Sequence, residues 1–182
     1  MLEALWPRAR SIEESSLYTT VSRLRRVLGR EAVVKESAGY GLGAAVEVDA
    51  VAFSRALAAR PPRLDEALKL WRGDLLADLP LAEWCFLARD TYRERFVEAA
   101  TRHGEQCLAQ KQLDGARAAF ERALEADPFA EPAVQGLMRT LVVAGDGGRA
   151  LRLFQRFTQG LERELGLAPS EETVRLAQHL AG

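Results

Sequence analysis

Cysteine is scarce in this chain: of 182 residues, only Cys85 and Cys107 carry a thiol. Two thiols supply neither a disulfide framework nor a four-cysteine zinc site, so the chain reads as a protein of a reducing compartment. Long apolar runs are also missing. Nothing approaches the roughly 18–20 apolar residues of a membrane span, and no basic-then-apolar leader opens the sequence. The expectation is a soluble, cytoplasmic protein with no membrane contact. Charge of one sign is lacking as well. A formal net charge of −1 excludes a uniformly basic nucleic-acid binder and confines any such role to a local patch. What the chain does have is apolar content. With 48% apolar and 28% charged residues and seven prolines, it is not a disordered chain, and it can bury the core of one large domain or two small ones.

The charge is unevenly spread. Residues 1–43 hold seven basic and five acidic side chains, a balance of +2, which leaves −3 for the other 139. Within that segment, residues 2–6 read as the end of a short helix stopped by Pro7. Ser11-Ile12-Glu13-Glu14 then has the form of a capping box. Behind it Leu17, Val21, Leu24 and Leu28 recur at i, i+4, i+7 and i+11, one apolar stripe of an amphipathic helix. The opposite side carries Ser16, Thr19, Thr20, Arg23 and Arg26, and Gly29 is a natural stop. Ala32-Val33-Val34-Lys35 and Gly39-Tyr40-Gly41-Leu42, joined by a turn at 36–38, read as a small β-hairpin.

From Asp49 onward the period is helical. Helices are expected from Asp49 to Ala59, from Asp65 through Trp71, from Trp84 to Gln110, from Asp114 to Ala126, from Glu131 to Ala144 and from Arg149 to Leu165. A last one follows Pro169-Ser170. Gly115-Ala116-Arg117-Ala118-Ala119-Phe120-Glu121-Arg122 aligns with Arg149-Ala150-Leu151-Arg152-Leu153-Phe154-Gln155-Arg156 at a shift of 34. That is the period of tetratricopeptide helix pairs. It predicts that Phe120 and Phe154 occupy equivalent core positions.

Catalytic signals are poor. Gly39-x-Gly41-x-Gly43 lacks the spacing and the following helix of a dinucleotide fingerprint, and Gly145-Asp146-Gly147-Gly148 has too few oxygen ligands for calcium. His103 and Cys107, four apart on one helix face, could share a metal, but no further ligand stands near them in sequence. A packed histidine and thiol is the better reading. Trp71, Trp84, Tyr92, Phe120, Phe154 and Phe157 recur at helical spacing and are expected in the core. No enzymatic constellation, cofactor site or metal site emerges.

The N-terminal segment has a different character. A helix with hydroxyls and arginines on one face and an apolar stripe on the other, followed by a hairpin, is the sequence form of a winged helix-turn-helix. Arginine reads guanine bidentately, while serine and threonine reach phosphates and thymine methyls. Leu2-Glu3-Ala4-Leu5-Trp6, Val21 through Gly29 and Gly39-Tyr40-x-Leu42 resemble the DNA-binding domain of SARP-type bacterial regulators. Leu70-Trp71-Arg72-Gly73-Asp74-Leu75-Leu76-Ala77-Asp78, Ala126-Asp127-Pro128, Glu164-Leu165-Gly166-Leu167 and Pro169-Ser170 are similar to the bacterial transcriptional activator domain that follows it.

The resemblance implies a mainly α chain: a partial winged helix-turn-helix in 1–43 and a tetratricopeptide-like helical-repeat domain in 44–182. It places Ser16, Thr19, Thr20, Arg23 and Arg26 on the recognition-helix face and Lys35 on the wing. The implied partners are double-stranded DNA and, for an activator, RNA polymerase. Two departures from the family accompany it. Glu36 stands where DNA-touching relatives place a basic residue, and the matched segment starts at what is the family's second helix. The stripe on the recognition helix then lacks part of its usual cover, so self-association through residues 1–43 is expected. The alternative function is a helical-repeat interaction module that no longer binds DNA.

Overall fold

The computed structural model describes residues 14–37, 39–78 and 83–181. The capping box at Ser11 and the short helix expected at residues 2–6 lie outside them. Helix α1 spans Glu14–Leu28 and ends where Gly29, at φ 96°, donates its N–H to the Arg25 carbonyl at 3.0 Å. A side chain at that φ would be strained, so glycine suits the stop. A 3₁₀ turn at Arg30–Ala32 leads into strand β1, Val33–Glu36, which pairs antiparallel with β2, Gly39–Leu42. Val33 stands opposite Leu42 and Lys35 opposite Tyr40.

The α1 stripe is only partly covered. Val21 is buried and Leu17 half-buried, but Leu24 and Leu28 are exposed, as is Val27 at 81%. The hairpin is tied to the side of α1 bearing Tyr18 and Arg25. At about 100° per residue, Val21 falls near that side and Leu24 about 110° from it, beyond the reach of a two-stranded hairpin. Leu28 shares the Val21 side of the helix but stands two turns on, at the helix end.

Among the described residues seven helices follow: α2 Asp49–Ala58, α3 Leu64–Leu70, α4 Phe86–Ala109, α5 Leu113–Ala126, α6 Glu131–Val143, α7 Gly147–Leu165 and α8 Glu171–Ala181. They pack in chain order, α2 on α3, α4 on α5 and α6 on α7, each pair resting on the next and α8 closing the stack. Helices α4 and α6 end at Ala109 and Val143, and α5 and α7 begin at Leu113 and Gly147. Both offsets equal the 34-residue shift of the aligned sequences, as in a tetratricopeptide-like array. Asp49 sits inside α2 rather than capping it, its Oδ1 accepting the Ala50 N–H at 2.8 Å.

The centre of the stack is one aromatic ring. Phe120 on α5 is fully buried, between Gly104 on α4 and Gly136 on α6. A Cβ built on Gly104 would lie 2.7 Å from the ring, and one on Gly136 would lie closer still. Ala116 and Ala123 on the same helix are also fully buried, so three helices approach through small residues and one ring fills the space. The repeat pairs Ala116 with Ala150, both buried, but Phe154 is only half-buried and Phe157 takes the inward place on α7. The α7 ring therefore sits one turn later than the alignment implies.

The first pair is fastened by aromatic contacts and arginines. Trp71 stacks on Phe96 with centroids 4.4 Å apart and an 11° tilt, and Phe53 touches both Trp71 and Tyr92. Arg122 lies over the other partner of the stack, 5.2 Å from the Phe96 centroid, and donates to the carbonyls of Leu68 and Trp71 at 2.9 and 3.1 Å. The segment after Trp71 is held from α4. Arg89 donates to the Leu75 and Leu76 carbonyls at 2.8 and 2.9 Å, and Arg93 forms a two-point ion pair with Asp74. Hydrogen bonding by Arg93 holds the Asp74 carboxyl below its ordinary pKa. Trp84 is not in the core, contrary to expectation: it lies in the one-turn 3₁₀ helix Glu83–Cys85, whose tighter winding turns Cys85 inward and leaves Trp84 54% exposed.

Alanine normally favours a helix over glycine by about 1 kcal/mol. Gly136→Ala is nevertheless expected to lower stability, because the new methyl meets the Phe120 ring. Phe120→Ala should cost about 3–5 kcal/mol through its cavity, and Phe154→Ala distinctly less. Urea unfolding checks the order. In the double variant Gly136→Ala/Phe120→Leu, part of the Gly136→Ala loss should be recovered.

Candidate nucleic-acid interface

Between Ser15 and Leu28 helix α1 has no acidic residue, while Arg23, Arg25 and Arg26 fall in its second half. Ser16, Thr19, Thr20, Arg23 and Arg26 share an arc of about 120° around the axis at 3.6 residues per turn. Ser16, Thr19, Arg23 and Arg26 are exposed along it and Thr20 is half-buried, its hydroxyl donating to the Ser16 carbonyl at 2.8 Å. The arc thus presents two guanidinium groups and three hydroxyls. Arg25 and Arg26 also stand in the last turn, where positive charge faces the negative end of the helix dipole.

Arg25 has a separate task that the sequence reading missed. Its Nε donates to the Val33 carbonyl at 2.9 Å, and its guanidinium lies 5.8 Å from the centroid of the Tyr40 ring. Tyr18 meets the same ring edge-on, centroids 6.4 Å apart at 83°. One arginine and one tyrosine of the helix therefore grip the hairpin. Tyr18 and Arg25 are seven residues apart, two turns along one side of the helix, and that spacing together with a tyrosine in the hairpin was the available signal.

Lys35 is exposed on β1 opposite Tyr40, apart from the helix arc. Side chains alternate across a strand, so Lys35 shares the hairpin face of Tyr40 and Val33, and Glu36 takes the other face. Gly41 is bare on that far face; a side chain there would strike the Glu36 carboxyl. Gly43 is equally constrained, since a Cβ would collide with the Glu31 carbonyl. These are close-approach glycines of a hairpin.

The second candidate group lies elsewhere. Cys107 Sγ is 3.6 Å from His103 Nε2 on α4, beside Gly115, whose added Cβ would lie 3.3 Å from the sulfur. Burial pushes the thiol pKa up, which disfavours the thiolate that a metal requires. Among the described residues no group of three His, Cys, Asp or Glu is placed to hold a metal ion. No helix there is long and apolar enough to cross a membrane.

Residues 44–181 match the family model of the bacterial transcriptional activator domain. The chain is 25% identical over 206 residues to the regulatory protein AfsR of Streptomyces griseus, covering 99% of this chain and 20% of that protein. Its fold is similar to that of Mycobacterium tuberculosis EmbR, solved in complex with a low-affinity phosphopeptide: TM-score 0.68, 24% identity, 99% of this chain and 53% of that one. The chain thus spans about a fifth of the one relative and about half of the other.

Removing the grip of Arg25 should free the hairpin without touching the helical stack. In Arg25→Gln, amide exchange at Val34 and Gly41, which form a bonded pair of the hairpin, is expected to quicken by roughly tenfold or more, the scale of one charge-assisted bond. Exchange within α5 should be unchanged, and mass spectrometry of peptides from the two regions measures both.

Proposed function

Because this chain belongs to the bacterial transcriptional activator domain family, as SARP-type regulators do, we propose that it binds double-stranded DNA through α1 and the hairpin and regulates transcription. Residues 1–43 form the DNA-binding region in this reading, and 44–182 form the helical domain that regulates or assembles it. The observation that carries it is the polar arc of Ser16, Thr19, Thr20, Arg23 and Arg26, exposed except at half-buried Thr20, on a helix free of acidic residues from Ser15 onward. A helix of this kind fits the major groove, its arginines reaching base edges or phosphates and its hydroxyls the phosphates. Lys35 adds a wing contact to the backbone. Glu36, on the opposite face of the hairpin from Lys35, does not stand between the wing and a phosphate approached from the Lys35 side. The family points to a transcriptional regulator rather than an enzyme.

Self-association belongs to the same reading. Leu24 and Leu28 form an exposed apolar strip beside the polar arc. Strips of this kind commonly mark interfaces. A two-fold pair would carry two recognition helices to paired half-sites.

Selection from random duplexes identifies a site, and fluorescence anisotropy then measures affinity. Arg23→Ala is expected to cost about 1–3 kcal/mol of specific binding. The parent affinity should fall steeply with salt as counterions are released. Salt-independent binding, or an Arg23→Ala variant that binds as tightly as the parent, overturns the DNA reading in favour of a helical interaction module. Light scattering should report a dimer of the full chain and a monomer for Leu28→Lys.

A further inference from the structure

The helical half holds a groove that DNA binding leaves unused. It has a volume of about 970 Å³ and runs along α4 beside the turn from α5 to α6. Its α4 wall reaches from Asp90 to Glu105. Fifteen steps at 1.5 Å make this wall about 22 Å long, room for six or seven residues of extended chain at about 3.3 Å each. Val97 is half-buried within it, and Ala126, Pro128, Ala130 and Pro132 line the other side, so one strip of the groove is apolar.

The charge of the groove is acidic once existing pairs are removed. Arg93 is committed to Asp74 and Asp90, and Glu105 is committed to Arg139 at 2.5 Å. Glu94 and Glu98 are exposed and make no ion pair among the described residues. Asp127 gives one oxygen to the Phe129 N–H at 2.9 Å and faces Arg93 without a direct ion pair. Against these three carboxylates only Arg102 stands as a lining cation outside any ion pair. Glu94 and Glu98 are one helical turn apart, so their charges form a row along the rim.

We propose that this groove docks an extended segment of a partner protein in which apolar residues alternate with lysine or arginine. In an extended segment successive side chains point to opposite sides. One set meets Val97 and the proline-alanine wall, and the other meets Glu94, Glu98 and Asp127. An anionic or phosphorylated segment brings the wrong charge to the same rim. The proposal does not depend on α1 and stands or falls apart from DNA binding.

The test uses the full chain and two fluorescein-labelled octapeptides, one alternating leucine with lysine and one alternating leucine with glutamate. Saturable anisotropy is expected for the lysine peptide alone. In Glu94→Lys/Glu98→Lys its affinity should drop roughly tenfold or more, since two favourable contacts become repulsive. In Glu171→Lys/Glu172→Lys, the same charge change on α8, affinity should hold. A peptide alternating glycine with lysine should bind markedly less tightly, because the apolar strip is left unfilled. Thermal unfolding shows that both variants fold. The proposal is overturned by an equal loss in the α8 variant, by equal binding of the glutamate or glycine peptide, or by no saturable binding of the lysine peptide.

Discussion

The ring of Phe120 sets how closely three helices approach. With Gly104 on one side and Gly136 on the other, α4 and α6 present bare backbone to it, and no side chain fits in either place. Helix α5 can be rich in alanine because of this arrangement: Ala116, Ala119 and Ala123 are buried without bulk of their own, and one phenylalanine supplies the volume. The rest of the helical half is arranged around that distance. The Trp71–Phe96 stack, Arg122 across it and the arginines of α4 all act on the flank of a seam whose spacing is already fixed.

Those arginines explain a stretch of sequence that otherwise looks like plain loop. Leu70 through Asp78 contains a tryptophan, a glycine, two aspartates and three leucines, with no regular period. In the fold four of these residues have partners on α4: Trp71 on Phe96, Asp74 on Arg93, and the carbonyls of Leu75 and Leu76 on Arg89. Gly73, at φ 134°, lets the chain turn between the stack and the ion pair. An irregular segment is ordered here by side chains of one long helix, and this keeps α3 against α4 without a short turn between them.

Periodic features were legible in the sequence, and pairings across space were not. The 34-residue shift of the aligned sequences reappears between the ends of α4 and α6 and between the starts of α5 and α7, although the expected bounds at Gln110, Asp114, Ala144 and Arg149 each stand one or two residues from the observed ones. The inward position of Ala116 and Ala150 followed from the same repeat. Phe154 failed because alignment fixes register only where side chains are small; α7 turns Phe157 inward instead. Trp84 failed because a 3₁₀ turn breaks the helical period just before α4. At the candidate interface the arc of Ser16, Thr19, Thr20, Arg23 and Arg26 is a consequence of spacing alone and could be written down beforehand. The hold of Arg25 on the Val33 carbonyl could not, since a carbonyl has no signature in sequence; only its contact with Tyr40 had one, in the spacing of Tyr18 and Arg25. Lys35 and Glu36 take opposite faces because β1 runs on to Glu36, which the sequence placed in the turn.

The far end of the stack is made differently from its middle. Helix α8 packs Leu176 and Ala177 on the core and adds a polar latch: the Ser170 N–H donates to Glu131 at 2.7 Å, and the Gln135 amide donates to the Thr173 hydroxyl at 2.8 Å. Burial opposes ionisation of Glu131, but its bonds to Thr173 and Ser170 outweigh that and leave its carboxyl below the ordinary value. A hydrogen-bonded latch contributes about 1 kcal/mol per bond, whereas a buried ring contributes several times as much. With no large ring of its own at the seam, α8 has the least to lose on parting from the stack, and the end of the array is where opening would begin while α4, α5 and α6 stay closed around Phe120.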